Sequence, residues 1–595
     1  MHVSAACYCD AVTAPGKRWV EVDGGDEVAT ARLAQALSIH PLAARVLATR
    51  GLADLASAGR FLSPRLEDLP DPFTMKGMEA AVGRLVRAIE SGERIACYGD
   101  YDVDGVTSTT LLSGFLRAAG ADVSTYVPHR LVEGYGLNAA AVQRLAGEGV
   151  RLIVTLDCGI TSVAEVAEAA RLGVDVVVVD HHTVPVELPS ASAILNPHQP
   201  GCAYPSKHLA AVGVTFNLAL ALRRRLRERG RFGSNRPEPN LREALDLVAL
   251  GTVADVVPLV EVNRLLVRFG LVEIGKARRP GIRALLRVAG VAAGEVTAAQ
   301  VGFRLGPRIN AAGRLDDAGR GVRLLCTSDP ATADALAEEL DRENRARQEI
   351  ERQMLEEALA DAALRVAAGA RGLVLSRPGW HPGVVGIVAA RIVERFHRPA
   401  VLVGVIDGVG KGSGRSIERF HLHDALAACS GCLLKFGGHR HAAGVTIDPG
   451  AIAAFCEAFE RHAASVLSDD DLIPRTRIEG WVEGAMLDER AATDLERLAP
   501  FGAGNPEPVF GLRARPSRAR QVGAAGMHLK LVLASRDAIA FQLGDRLALC
   551  AGPVEAAVSV GFDDWDGTRR LQLRVRDLRA AGEAPPPVAA SRFAP

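Results

Sequence analysis

The sequence predicts an α/β multidomain protein: a parallel-sheet domain, a long connecting helix, a smaller α/β domain and a C-terminal barrel of short strands. Three observations predict it. Short β-branched apolar runs alternate with helical stretches from about residue 90, the pattern of a parallel sheet covered on both faces. Residues 331–368 contain neither Pro nor Gly and are rich in Ala, Leu, Glu and Arg, which predicts one helix of roughly 50 Å or more at 1.5 Å per residue. After residue 472 several β-type runs follow one another with little helix between them, as in a small barrel or sandwich.

Taken in order, 1–16 and 581–595 read as disordered tails, the second being Pro- and Ala-rich. Residues 17–90 read as short helices broken by Pro64, Pro70 and Pro72, packing on the first α/β domain, 91–330. In that domain Arg94 to Tyr98, Leu152 to Leu156 and Val174 to Val179 are the strands. The 331–368 helix reads as a bridge between two domains, with a long surface helix of the first as the alternative. The domain at 369–467 has strands at Gly372 to Ser376 and Ala400 to Val405 around a helix from Val384 to Phe396. The last module, 472–580, has strands near 477–482, 528–533, 538–543, 556–560 and 571–575, and an OB-like fold is the natural candidate for it.

Length and composition fit this plan. A chain of 595 residues, 48% apolar and 24% charged, is a globular protein of several cores. No apolar run reaches the ~18 residues of a membrane span, and the N-terminus lacks the basic start and apolar core of a secretory signal. A cytoplasmic protein is expected. Ten cysteines are too sparse for a disulfide framework. Cys429 and Cys432 form one CxxC with no second pair at zinc spacing, so an ordinary pair of thiols is the stronger reading. With 70 basic and 70 acidic residues the net charge is zero, which excludes a uniformly basic nucleic-acid binder but not a local patch.

The chemical signal lies where acidic residues meet strand ends. The first strand runs into Asp100, Asp102 and Asp104, the second into Asp157, and the third into Asp180-His181-His182. Carboxyl ends of parallel strands share one edge, where ligands bind, so three distant clusters converge. Asp255, in GTVAD, is a fourth candidate. Carboxylates so crowded repel one another unless cations neutralise them. Oxygen ligands with an imidazole and no thiolate favour Mg²⁺ or Mn²⁺, and two such ions stabilise both the attacking and leaving oxygens of a phosphoryl transfer. Asp180 is expected to orient His181. Each aspartate alone reads better as a turn former or helix cap; the set does not.

These residues resemble the DHH phosphoesterase superfamily, through GDYDVDG at 99–105, TLDCG at 155–159, DHH at 180–182 and GTVADVVPL at 251–259. The resemblance implies Asp102 and Asp104 as ligands, Asp157 as the bridging ligand, and His181 and Asp255 completing the site. Smaller members carry a histidine four residues before the first metal aspartate; here Tyr98 stands there, and Asp100 is the substitute. His182 is expected to stabilise phosphate charge or protonate the leaving oxygen.

The resemblance extends to the substrate groups. Gly437, Gly438 and His439 form a GGH signature, and Ser413, Arg415 and Ser416 lie in GSGRS; glycines admit an anion to the backbone while Arg and Ser donate to it. A glycine turn with a solvated Arg is the alternative. Arg130, Arg308, Asn310, Arg314 and His381 are assigned to DNA or its terminal phosphate, His381 with helix start as an equal alternative. The 500–508 segment matches the opening of the family's OB region, and Phe501 and Phe510 are stacking or core residues. The implied activity is 5′ to 3′ hydrolysis of single-stranded DNA with two Mn²⁺ or Mg²⁺ ions, in DNA repair and recombination. A monomer meeting a single-strand-binding protein and a RecQ-type helicase is expected. Hydrolysis of short oligonucleotides or nucleotides, and a non-catalytic DNA-binding scaffold, are the rivals.

Overall fold

The computed structural model describes residues 16–23, 26–130, 133–315, 317–563 and 567–582. Both expected tails lie almost wholly outside these residues. The chain divides into two compact units, one of Gly59–Arg345 with Leu498–Glu507, the other of the remaining segments.

In the first of these units, continuous apolar runs such as residues 95–98 and 176–179 let strands face two apolar layers. Its sheet contains β2 (Arg94–Gly99), β3 (Val123–Tyr126), β4 (Val150–Leu156), β5 (Asp175–Val179) and β6 (Ala193–Leu195), β1 (Arg18–Glu21) lying in the other unit. The order is β3-β2-β4-β5-β6, all parallel. Ile95 and Cys97 enter one core and Ala96 and Tyr98 the other. The chain leaves β2 toward β3 on one side, while β4 pairs on the other. That reversal opens a crevice at the strand ends, between the residues following β2 and those following β4.

The second unit contains a five-stranded sheet of order β10-β11-β9-β8-β7: β7 (Leu373–Pro378), β8 (Ala400–Ile406), β9 (Val409–Arg415), β10 (Lys435–Gly438) and β11 (Ala442–Ile447). Only the β7–β8 pair is parallel. The remaining strands are β12 (Arg475–Ile478), β13 (Trp481–Val482), β14 (Phe510–Ala514), β15 (Ser517–Val522), β16 (His528–Leu533), β17 (Arg536–Ala540), β18 (Val554–Asp563) and β19 (Arg570–Ala580). Seven of them form an OB-like sheet of order β13-β14-β18-β19-β17-β16-β15.

The N-terminal segment differs from expectation. Residues 18–21 form a strand, β1, paired in parallel with β12, and the stretch to Ala58 groups with this second unit. Trp19 is the reason: its ring is buried against Ile478 and Ala557 and its Nε1–H donates to Asp577 at 2.7 Å. From Gly59 onward the chain joins the first unit, where Met78–Ser91 packs into the main core. The predicted long helix is present as Pro330–Ala367, 38 residues, begun by Asp329, whose carboxylate accepts from Thr332 N–H. Among the described residues no helix is long and apolar enough to cross a membrane.

Candidate metal centre

The turn after β2 is held by backbone packing that admits no side chain. A Cβ on Gly105 would strike the Asp100 backbone, and one on Gly99 the Thr109 side chain. Asp102 caps the helix Val103–Ala118 by accepting from the N–H groups of Asp104 at 2.9 Å and Gly105 at 3.1 Å. Asp157 follows β4 in the left-handed region at φ 66°, a conformation that costs a non-glycine residue energy and clusters at functional sites. Asp255 ends the helix Leu245–Ala254. That helix approaches closely because Gly251 has no Cβ, which would collide with Thr107.

Three overlapping groups bring ligand atoms within 4.8 Å of one another: Asp100, Asp102 and Asp157; Asp104, His181 and Asp255; and Asp157 with both histidines. His181 Nε2 is 3.2 Å from Asp157 Oδ1, 3.5 Å from Asp255 Oδ2 and 3.9 Å from Asp104 Oδ2. Four of these atoms, Asp100 Oδ1, Asp157 Oδ1, His181 Nε2 and Asp255 Oδ2, are buried without a hydrogen-bond partner. Protein interiors do not leave such groups unpaired without cause. The donor set, carboxylate oxygens with imidazole and no thiolate, fits Mn²⁺ or Mg²⁺.

The electrostatics agree. Burial and then the Asp102 charge push the Asp104 carboxyl up to about 7. Burial likewise raises Asp100, Asp157 and Asp255 well above the carboxylate range, with neighbouring aspartates adding to it. Burial lowers the His181 imidazole to about 4, leaving it neutral and able to ligate. Cations at this spot reverse the cost of every one of these charges.

Asp104 has a second task with no sequence signal at its partner: Oδ2 accepts from Ala211 N–H at 2.6 Å and Oδ1 from Val212 N–H at 2.8 Å, at the N-terminus of the helix Ala211–Glu228. Each oxygen keeps a further lone pair for a metal.

Asp180 differs from expectation. Its carboxylate accepts from the backbone N–H groups of Ile160, His181 and His182, and it meets the His182 ring at Nδ1, 2.8 Å away. It therefore orients His182 and not the His181 imidazole. Burial lowers the basicity of His182, but the Asp180 hydrogen bond and charge outweigh it and raise the imidazole above its ordinary value. Burial opposes ionisation of Asp180 too, and the His182 bond and charge again prevail, holding it low.

Tyr98 is no substitute ligand. It is fully buried, stacked on Tyr126 at 5.1 Å, donating to Gly136 C=O at 2.9 Å and accepting from Asn138 at 3.1 Å. Asp100 supplies the carboxylate beside Asp102 and Asp157 instead.

A cavity of about 300 Å³ opens on these carboxylates, lined also by Tyr101, Arg130, Tyr135, His182, Asn310, Gly313 and Arg314. Arg130 lies over the Tyr101 ring at 4.8 Å. Tyr135 donates to Asp157 C=O at 3.2 Å and stands 3.3 Å from His182 Nδ1. Of its wall, sequence reasoning gave no role to Tyr101, although it sits inside the GDYDVDG motif, or to Tyr135. Asn310 faces inward and accepts from Val103 N–H at 3.2 Å. Arg308 is a correction: two residues away on the helix Gly306–Leu315 it turns to the opposite side. There it pairs with Asp341 at 2.9 Å and donates to Arg304 C=O and Val288 C=O, and it does not line the cavity.

The remaining expected residues gather in the second unit. Ser413 and Gly437 both pair with Gly444, and Gly414 and Gly438 both with Ala443, so they occupy adjacent rows across β9, β11 and β10. A Cβ on Gly386 would lie 2.9 Å from Ser413 Oγ and 3.1 Å from Arg415 Nη2, so the helix Val385–Phe396 closes on the same patch. Arg415 donates to Ser413 Oγ and to Gly414 C=O. His381 Nδ1 accepts from Gly383 N–H at 3.1 Å, which is a turn-capping role. Ser416 Oγ donates to Phe420 C=O at 2.8 Å and serves its loop. His439 is exposed at the β10–β11 turn. The stretch 498–507 clusters with the first unit, not with the OB-like sheet, and Phe510 is core.

Family models match three stretches: the DHH family N-terminal domain over 94–252, the DHHA1 domain over 369–465 and the RecJ OB domain over 478–577. The chain is 42% identical over 560 residues to the single-stranded-DNA-specific exonuclease RecJ of Dickeya dadantii, covering 91% of this chain and 96% of that one. It is 37% identical to the Bacillus subtilis RecJ, over 94% of this chain and 70% of the other. The crystal structure of Thermus thermophilus RecJ in complex with Mn²⁺ superimposes with a TM-score of 0.82 at 35% identity, covering 97% of this chain and 81% of that one. A second Thermus structure, with Mg²⁺, gives 0.74 at 33% identity, over 94% and 78%. The chain belongs to the RecJ family of DHH proteins.

Proposed function

We propose that this chain is a metal-dependent exonuclease that hydrolyses phosphodiester bonds of single-stranded DNA. The observation that carries the reading is the set of buried, unpartnered ligand atoms on Asp100, Asp157, His181 and Asp255 beneath an open cavity. Asp100, Asp102 and Asp157 would hold one divalent cation, and Asp104, Asp157, His181 and Asp255 a second. When bound, such a pair supplies an activated water and stabilises charge on the attacking and leaving oxygens.

The protein's own groups do the rest. Asp180 fixes the His182 ring and raises its basicity in the cavity wall, where the imidazole would stabilise phosphate charge and give a proton to the leaving oxygen. Tyr135 ties that wall to the Asp157 backbone. Arg130, Asn310 and Arg314 line the approach as donors to the DNA backbone. Ser413, Arg415, Gly437, Gly438 and His439 form a cradle for a phosphate.

The family reading adds a 5′ to 3′ direction, a role in DNA repair and recombination, a cytoplasmic monomer, and a single-strand-binding protein and a RecQ-type helicase as partners. Incubating the pure protein with DNA labelled at either end and Mn²⁺ tests it. Loss of nucleotides from the 5′ end of single strands, with duplex left intact, is expected. Intact single strands at saturating Mn²⁺ would sink the nuclease reading, and loss from the 3′ end would sink the direction alone.

A further inference from the structure

The loop that follows Asp255 reverses the chain abruptly. Val256 adopts φ 61°, which a β-branched residue takes only where its surroundings impose it. Two contacts pin the next residues. Asn263, fully buried, donates to Pro258 C=O at 3.0 Å. Leu259 N–H donates to Ala503 C=O at 2.7 Å. The second contact comes from about 240 residues later in the sequence, from a ten-residue stretch that clusters with the parallel-sheet unit.

That stretch, Leu498–Glu507, is built to lie there. Arg264, 3% exposed, stacks on Phe61 at 3.5 Å and donates to Leu498 C=O at 3.3 Å and Ala499 C=O at 2.8 Å. Asn505, 2% exposed, donates to Leu498 C=O and Pro500 C=O and exchanges backbone bonds with Gly502. The two glycines sit where the stretch meets the Asp255 loop. A Cβ on Gly502 would lie 2.8 Å from Leu259 Cδ1; one on Gly504, at φ 69°, would lie 2.9 Å from Pro258 Cβ.

We infer that Leu498–Glu507 is a brace for the metal centre: it fixes the Val256–Val260 loop and through it the Asp255 carboxylate that completes the His181 site. Its residues are positioning residues, acting through the loop on a ligand. The inference rests on the metal reading above. Outer groups that orient a ligand set metal affinity, so the brace controls occupancy of one of the two sites and leaves the Asp100–Asp102–Asp157 group alone.

Gly504→Val, which adds both the clash and an unfavourable φ, and the milder Asn505→Ala test this in the full-length protein. Free Mn²⁺ is followed by electron paramagnetic resonance during titration without DNA, alongside the melting temperature. The wild type is expected to bind two ions. Each variant should bind one with unchanged affinity and the other roughly 10- to 100-fold more weakly, with turnover recovered at high Mn²⁺ and KM for DNA unchanged there. Should Gly504→Val fail to fold, Asn505→Ala alone decides. Folded variants with both affinities unchanged would overturn the brace, as would a DNA affinity that stays low at saturating Mn²⁺, which would return the stretch to the DNA surface. A wild type binding no Mn²⁺ would instead overturn the metal reading beneath it.

Discussion

In the parallel sheet, Asp100, Asp157 and His181 stand just past strand ends, where their side chains offer converging ligand atoms. In the mixed sheet, Ser413 and Arg415 lie within β9 and Gly437 and Gly438 within β10, so the strand backbones themselves form the surface. The first arrangement suits small cations, which need several anionic atoms converging on a point. The second suits a phosphate, which needs a broad face of donors and close backbone approach. Substitutions should therefore fail in different ways in the two regions.

The largest effect is expected at Asp157, which is shared by two of the ligand groups. Asp157→Ala should lose more than the ~100-fold that a change in an outer group costs in activity or metal affinity, and Mn²⁺ titration should show both ions weakened. Loss of only one ion would remove its bridging role. Next is Asp180→Asn, which releases His182 while leaving the ligands in place. A kcat fall of roughly 100-fold with Mn²⁺ affinity unchanged would separate the histidine's role from the metal's. A parallel loss of Mn²⁺ affinity would assign Asp180 to the centre itself. In the mixed sheet, Arg415→Ala should raise KM for DNA by roughly tenfold, the worth of one charge-assisted hydrogen bond, with kcat nearly constant; a fall in kcat at unchanged KM would refute the cradle.

The sheet ends were legible in sequence because charged residues terminating apolar runs are conspicuous, and parallel order brings their ends to one edge. Asp100, Asp102, Asp104, Asp157, His181 and Asp255 do meet. The mixed sheet was harder. β9 reads VGKGSGR and β10 reads KFGG, compositions that suggest loops. Yet Gly412 and Gly414 are strand residues because any Cβ would press on Val445 and Leu422. The glycines mark close packing, which spacing alone does not reveal. β1 escaped for a different reason: four residues become a strand only by pairing with β12, more than 450 positions away. The orientation of Arg308 and the partner of Asp180 were likewise tertiary facts. Each residue carried the right chemistry, and only the fold decided which neighbour received it.

Smaller effects sharpen the same contrast. The metal-free Asp104 carboxyl, with its pKa lifted to about 7, retains a proton that the unfolded chain has lost above its ordinary value. Stability of the metal-free protein should therefore fall as pH rises from about 4 to about 7. Stabilisation by added Mn²⁺ should grow over the same window, because the ion displaces that proton. Melting temperatures at pH 5 and 8, with and without Mn²⁺, check the sign; metal stabilisation greater at pH 5 would contradict it. Smallest is Tyr98→Phe, which strands Gly136 C=O and Asn138 in a buried layer and should cost about 1–2 kcal/mol of stability. Mn²⁺ affinity should not change, since the phenol faces away from the ligands.

The central claim is that these six residues form one centre for two cations. Diffraction from crystals grown with Mn²⁺, recorded at the manganese absorption edge, tests it most directly. The account predicts two anomalous peaks about 3.5 to 4 Å apart, one among Asp100, Asp102 and Asp157 and one among Asp104, His181 and Asp255, with Asp157 touching both. A single peak, or peaks held by residues outside this set, would contradict it.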